Sequence, residues 1–250
     1  MEYITSRHNP LMVQIVKILS SRKQRRLQGI FAGEGTKLLE EAVKWAPDQL
    51  QTVVVREGTA CPLLPEHVRK VVIPPQLMEQ ISTMETPEGV IFLMKLPPEH
   101  TGELEPGVLV LDGIQDPGNV GTILRTADAM DVKVFLSDGC ADPYNPKTVR
   151  ATMGAVFRTP PEKMSREMLI DQCRKHKIPL LVTALSSNAE NLRQADLKNS
   201  AVVIGSEGNG VSPILLNAAD KQVMIPMHSR CESLNAAIAA AIVLWQMTEL

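Results

Sequence analysis

The chain has 250 residues, 44% of them hydrophobic and 22% charged, enough for one large core or two modest ones and too apolar for a disordered or collagen-like polymer. Its 26 Lys and Arg against 28 Asp and Glu leave a formal net charge of -2, so no molecule-wide basic field advertises nucleic acid, and an anionic partner has to be gripped locally. The four cysteines, Cys61, Cys140, Cys173 and Cys231, show no CxxC spacing, which argues against a zinc cluster or disulfide framework and fits a reducing cytoplasm.

No charged segment leading into an apolar run opens the chain. The longest apolar run, Ala236 to Trp245, falls short of the ~20 residues that cross a bilayer, so a soluble, cytoplasmic protein with no membrane partner is expected. Leu11, Ile15, Ile18 and Leu19 recur at helical spacing and predict one helix over 9–28, closed by a basic run before Gly29. Thr52 to Arg56, Val71 to Ile73 and Gly89 to Leu96 read as strands, and Thr36 to Ala46 and Pro75 to Ser82 as helices. Together they predict a small α/β unit. Pro97 to Gly107 mixes proline, glycine and charge without apolar periodicity, as an exposed linker does. The expected organisation is a domain over 1–98, a linker over 99–107 and a second domain over 108–250.

Beyond the linker the strands are stronger: Val108 to Asp112, Val132 to Ser137, Ile178 to Leu185, Ala201 to Gly205 and Gln222 to Pro226, each followed by a helical stretch. Near-continuous Val, Ile and Leu runs interleaved with helices predict a parallel sheet covered on both faces. Ligands of such sheets sit at the loops leaving the carboxyl ends of the strands.

Three of those loops carry polar residues suited to chemistry. In the first, Leu111 to Ala129, a proline and glycine turn leads into a helix starting near Asn119, which could cap it, with Arg125 six residues on. The same residues would also serve as a plain capped helix with a surface arginine. In the second, Val202 to Ser212, Gly205, Gly208 and Gly210 let a ligand approach the backbone. Their spacing departs from the dinucleotide GxGxxG fingerprint, and Glu207 would repel a pyrophosphate while suiting a cationic or hydroxyl-bearing ligand. The third, Ile225 to Ala241, runs from a strand end into an alanine-rich helix, with Ser233 and Asn235 where a cap belongs. Small residues there allow close packing or a subunit interface. His228 and Cys231, a lone pair three apart, read as loop residues, and no metal is expected.

In order and spacing the three loops resemble the signature motifs of the SpoU (TrmH-like) branch of the SPOUT methyltransferase superfamily. The opening Ser6-Arg-His-Asn-Pro10, the run Ser21 to Arg26 and Phe31-Ala-Gly-Glu-Gly35 are similar to the small, ribosomal protein L30e-like substrate domain that precedes the catalytic domain in many bacterial members. The resemblance implies an α/β protein whose C-terminal parallel-sheet domain holds a trefoil knot. It implies S-adenosylmethionine as cofactor, transfer of its methyl group to a ribose 2′-hydroxyl of RNA, ribosomal before transfer RNA and not DNA, and a homodimer. A non-catalytic RNA-binding or ribosome-assembly factor with the same fold is the alternative.

Carried over by position, Asn119, Arg125, Glu207, Ser233 and Asn235 match the polar catalytic residues. Gly205, Gly210, Ile225, Met227 and Leu234 match cofactor positions, with Thr183 in a neighbouring loop. Ser229 stands where the family has glycine. Family proposals make the residue at position 125 the proton acceptor. Guanidinium groups stay protonated in proteins, so Arg125 is expected instead to hold a phosphate and the developing alkoxide. RNA contact is expected from Arg22, Lys23, Arg25 and Arg26, with Arg7 and Lys17 nearby, and from Arg150 and Arg158 of the catalytic domain. With aromatics at 3%, recognition by shape and backbone is favoured over base stacking.

Overall fold

The computed structural model describes residues 2–98, 103–186, 188–228, 230 and 233–248. The chain forms two compact units. The first comprises Met1–Pro98 and Asp142–Arg158, the second Glu99–Ala141 and Thr159–Leu250.

Unit 1 carries β1 (Glu2–Tyr3), β2 (Ile30–Glu34), β3 (Leu50–Arg56), β4 (Arg69–Ile73) and β5 (Val90–Lys95) in the order β1-β4-β3-β5-β2. β1, β4 and β3 run parallel, whereas β5 is antiparallel to both β3 and β2. The single helix predicted over 9–28 is two helices, α1 (Pro10–Ser20) and α2 (Arg22–Gln28). Asn9 caps the first, accepting the Leu11 N–H at 2.9 Å. Ser21 breaks the run: its backbone is extended, and its hydroxyl accepts the Gln24 N–H at 3.3 Å to cap the second.

Residues of the strands divide by alternation between two cores. Ala32, Val54, Val71 and Leu93 face α1 and its neighbours, while Phe31, Val53, Val55 and Phe92 face α3 (Thr36–Trp45). Gly33 on β2 is required for this packing, since a Cβ there would lie 2.3 Å from the Phe92 ring. The second core is completed from far along the chain. Tyr144 and Phe157 sit against Phe31 at ring-centroid distances of 4.8 and 6.3 Å. They belong to the stretch holding α6 (Pro146–Ala151) and α7 (Ala155–Arg158), after α4 (Pro75–Ile81) and α5 (Pro117–Ala129) in chain order. Residues 142–158, expected in the C-terminal domain, therefore pack within unit 1, because without them this face of its sheet would lack much of its aromatic cover.

Arg25 joins the same assembly. Its side chain is 3% exposed and paired with Asp142, 9% exposed, at 2.7 Å, and its Nη1 donates to the Ile18 carbonyl at 2.7 Å. The pair thus anchors residue 142 and satisfies a carbonyl near the end of α1.

Unit 2 holds β6 (Val108–Asp112), β7 (Val134–Leu136), β8 (Glu162–Lys163), β9 (Leu180–Thr183), β10 (Glu190–Asn191), β11 (Ala201–Gly205) and β12 (Lys221–Met224). Their order is β10-β12-β9-β11-β6-β7-β8, and every pairing is parallel. Leu109, Leu111, Val202 and Ile204 point to one core, shared with α5 and α10 (Ala236–Met247). Val108, Val110, Val203 and Val182 point to the other, shared with α8 (Arg166–His176) and α9 (Pro213–Ala218). Burial on both faces is the reason these strands read as unbroken apolar runs. No helix among the described residues is long and apolar enough to cross a membrane.

Candidate active site

β12, β9 and β11 are neighbours, and their carboxyl ends open on a cavity of about 330 Å³, within the ~300–1,000 Å³ usual for small-molecule sites. The loop after β11 forms one wall. Ser206 donates to the Gly210 carbonyl at 3.1 Å and Gly210 back to the Ser206 carbonyl at 2.9 Å, closing a tight turn in which Gly210 takes a φ of +64°. Gly205 lies so close under this turn that a Cβ would stand 2.1 Å from the Gly210 carbonyl carbon and 2.2 Å from the Val211 nitrogen. All six expected cofactor residues, Thr183, Gly205, Gly210, Ile225, Met227 and Leu234, line the cavity, and Glu207 and Ser233 line it too. The Thr183 hydroxyl is engaged within the sheet, donating to the Val203 carbonyl at 3.0 Å.

Beside the cavity the three loops are tied together by polar side chains. Asn119 Nδ2 donates to Glu207 Oε1, and Asn235 Nδ2 donates to Asn119 Oδ1 at 3.1 Å. Glu207 Oε1 also accepts the Ala236 N–H at 3.3 Å. Asn235 caps α10, accepting the Ala237 and Ile238 N–H groups at 2.9 and 3.3 Å. One carboxylate oxygen and two carboxamides thus hold the starts of α5 and α10 to the loop after β11.

The two cap expectations for Asn119 and Ser233 need correction here. Asn119 does not cap α5; Asp116 does, accepting the Asn119 N–H at 2.8 Å, with Pro117 in the first turn. Arg125 is exposed and bonds to none of the other expected catalytic residues. Six helical positions turn by ~600°, leaving Arg125 about 120° around the axis from Asn119. Ser233 is exposed and makes no hydrogen bond to the described residues, so the cap role falls to Asn235 alone.

Of the expected RNA contacts, Arg22, Lys23 and Arg26 are exposed, as are Arg7 and Lys17. Arg25 is the exception: its buried pairing with Asp142 makes it a structural residue rather than a phosphate contact. Arg150 and Arg158 belong to unit 1. The first donates to Glu34 Oε1 at 3.2 Å and to the Thr83 hydroxyl at 3.0 Å, and the second pairs with Glu41. Ser229 and Cys231 lie outside the described residues. Leu185, Ser206 and Asn209 also line the cavity and were not singled out from sequence; their only signal was position just past the ends of adjacent parallel strands.

Residues 106–245 match the SpoU rRNA Methylase family, and residues 9–91 match the MRM3-like substrate binding domain. The chain belongs to the SpoU family. It is 32% identical, over 92% of its length and 93% of the relative's, to the 23S rRNA (guanosine(2553)-2′-O)-methyltransferase RlmP of Bacillus subtilis. A solved RNA 2′-O ribose methyltransferase is 30% identical with a TM-score of 0.80, covering 98% of this chain and 97% of its own. The AdoMet-bound rRNA methyltransferase of Sinorhizobium meliloti is 27% identical with a TM-score of 0.83, covering 98% and 97%. This SpoU protein is therefore an α/β methyltransferase with a substrate-binding domain ahead of its parallel-sheet domain, as the motifs imply.

Proposed function

We propose that this SpoU protein transfers the methyl group of S-adenosylmethionine to a ribose 2′-hydroxyl of ribosomal RNA, acting as a cytoplasmic homodimer. The observation that carries the reading is the cavity at the ends of β9, β11 and β12, bordered by the Asn119, Glu207 and Asn235 network. Its residues fit the donor: Gly205 and Gly210 offer bare backbone, Ile225, Met227 and Leu234 an apolar wall, and Glu207 with Ser233 a polar edge. S-adenosylmethionine, when bound, supplies a methyl group activated by a sulfonium.

The chain's own residues do the rest. Orienting two reactants can supply ~7–11 kcal/mol of a barrier in favourable cases, and the paired carboxamides fix the loops that would do so. Glu207 spends Oε1 on Asn119 and Ala236, while its Oε2 bonds to none of the described residues and is open to a sugar hydroxyl. Arg125 is assigned to the RNA phosphate and the developing alkoxide, with the proton leaving through water. The exposed Arg22, Lys23 and Arg26 are assigned to phosphates, which would make binding fall with salt. Ile238, Ile242 and Trp245, at 54, 38 and 61% exposure, form an apolar stripe on α10 at helical spacing that a second copy would cover. The trefoil knot of the family belongs to the same reading.

Ribosomal RNA lacking the modification, incubated with protein and methyl-labelled S-adenosylmethionine, tests this. Label is expected at one nucleotide as an alkali-resistant 2′-O-methyl group, and Arg125→Ala should lose most turnover while binding the donor normally. Label on a base, or none on ribosomal RNA beside efficient transfer to transfer RNA, would refute the assignment.

A further inference from the structure

Among the described residues of unit 2, one buried charged group lies outside the network around the cavity. Asp112, the last residue of β6, has a side chain only 1% exposed, and each of its carboxylate oxygens is committed. Oδ1 accepts from the Ser137 hydroxyl at 2.6 Å and from Arg166 Nε at 2.7 Å. Oδ2 accepts the backbone N–H of Ser212 at 2.7 Å. Arg166 is itself steadied by a 2.8 Å bond from Nη2 to the Asp138 carbonyl. Burial alone would raise the Asp112 carboxyl, but the hydrogen bonds from Ser137, Ser212 and Arg166 outweigh it and hold it below the ordinary carboxylate range.

Ser212 follows directly on the cavity-lining loop and stands at the N-cap position of α9, where its side chain makes no capping bond. The loop is then held at four places. Its start is clamped by the β11–β6 register, in which Gly205 lies opposite Asp112. Its middle is closed by the Ser206 and Gly210 pair, and Glu207 is tied to Asn119. Its exit is tied to Asp112 by the Ser212 N–H, a charge-assisted bond of the strong class.

We infer that Asp112, backed by Arg166, is a positioning residue that sets the exit of the 206–211 loop and thereby the shape of the cofactor cavity. The inference rests on the proposed function, since the ligand of that cavity is taken to be S-adenosylmethionine. Asparagine at 112 cannot replace the carboxylate: it has one acceptor oxygen for donors arriving on both sides, and its amide would face either Ser212 or the Ser137 and Arg166 pair.

The test compares Asp112→Asn with Ser137→Ala, which removes a bond from the same carboxylate on the side away from the loop. S-adenosylmethionine affinity is measured by calorimetry at a temperature where both variants are folded, and amide hydrogen exchange is followed over 206–212. The expected result is a dissociation constant raised at least tenfold in Asp112→Asn with faster exchange in that segment, and one within twofold of wild type in Ser137→Ala. Unchanged affinity and exchange in Asp112→Asn, or equal losses of affinity in both variants, would overturn the inference. Should wild-type protein not bind S-adenosylmethionine, the cofactor reading fails, and the exchange comparison still decides whether Asp112 holds the loop.

Discussion

Replacing Arg25 by methionine separates a structural arginine from RNA-facing ones on the same helix. Methionine keeps much of the side-chain volume but strands the Asp142 carboxylate, 9% exposed, and frees the Ile18 carbonyl that Arg25 Nη1 reaches at 2.7 Å. Breaking one side of a buried ion pair costs about 3–5 kcal/mol. At 2–4 °C per kcal/mol for a chain of this size, the melting temperature should fall by roughly 6–20 °C. Arg26→Met, at an exposed position one residue away, should change stability by no more than about 0.5 kcal/mol. It should instead lower RNA affinity and reduce the slope of log K against log salt by about 1. Thermal and urea unfolding read the first effect, and filter binding to ribosomal RNA at several salt concentrations reads the second. If Arg25→Met melts with wild type while losing RNA affinity as Arg26→Met does, the placement of Arg25 is wrong. A double-mutant cycle with Asp142→Ala should return a coupling energy within the ~0.5–3 kcal/mol seen for residues in contact.

Gly205→Ala places a Cβ 2.1 Å from the Gly210 carbonyl carbon, so the loop backbone has to move. At about 1–3 kcal/mol for overpacking, S-adenosylmethionine affinity should fall roughly five- to 150-fold in calorimetry, and wild-type affinity would contradict the tight turn. Trp245→Glu puts a charge in the exposed stripe of α10 and should convert a dimer to monomer in sedimentation; a variant that still sediments as a dimer places the interface elsewhere. Burial pushes the Cys173 thiol up to about 12 from 9.0, so it stays neutral at pH 8 and should resist alkylation until the protein unfolds. Because the folded state favours the protonated thiol, stability is retained below pH 9 and drains away between about 9 and 12. Cys173→Ala should blunt this alkaline loss in pH-dependent urea titrations, and an identical profile in the variant would exclude the cause.

Much of unit 2 was legible because its signals are local. Val108 to Asp112 and Ala201 to Gly205 form strands over the ranges predicted, since burial on both faces writes an unbroken apolar run. The three loops were found the same way, each following such a run. Short elements were less visible: β2 escaped notice because Ile30 to Glu34 contains a single β-branched residue and a glycine whose purpose is the Phe92 ring across the sheet. Ser21 was read as part of a polar run although its type marks a helix cap, and only its extended backbone showed where the helix breaks.

What the linear order of residues determined by itself was periodicity, and through it the parallel sheet, the loops at its carboxyl ends and the polar residues waiting there. Which of those residues meet was decided in three dimensions. Asn119 and Asn235 stand 116 positions apart, as far as Arg25 from Asp142 to within one residue, and burial or pairing at such separations depends on the whole packing around them. The same holds for 142–158, whose Tyr144 and Phe157 carry no local mark of the sheet they cover. Local patterns encode which way a side chain faces; only the folded chain supplies the partner that makes a buried charge, a tethered loop or a completed core stable.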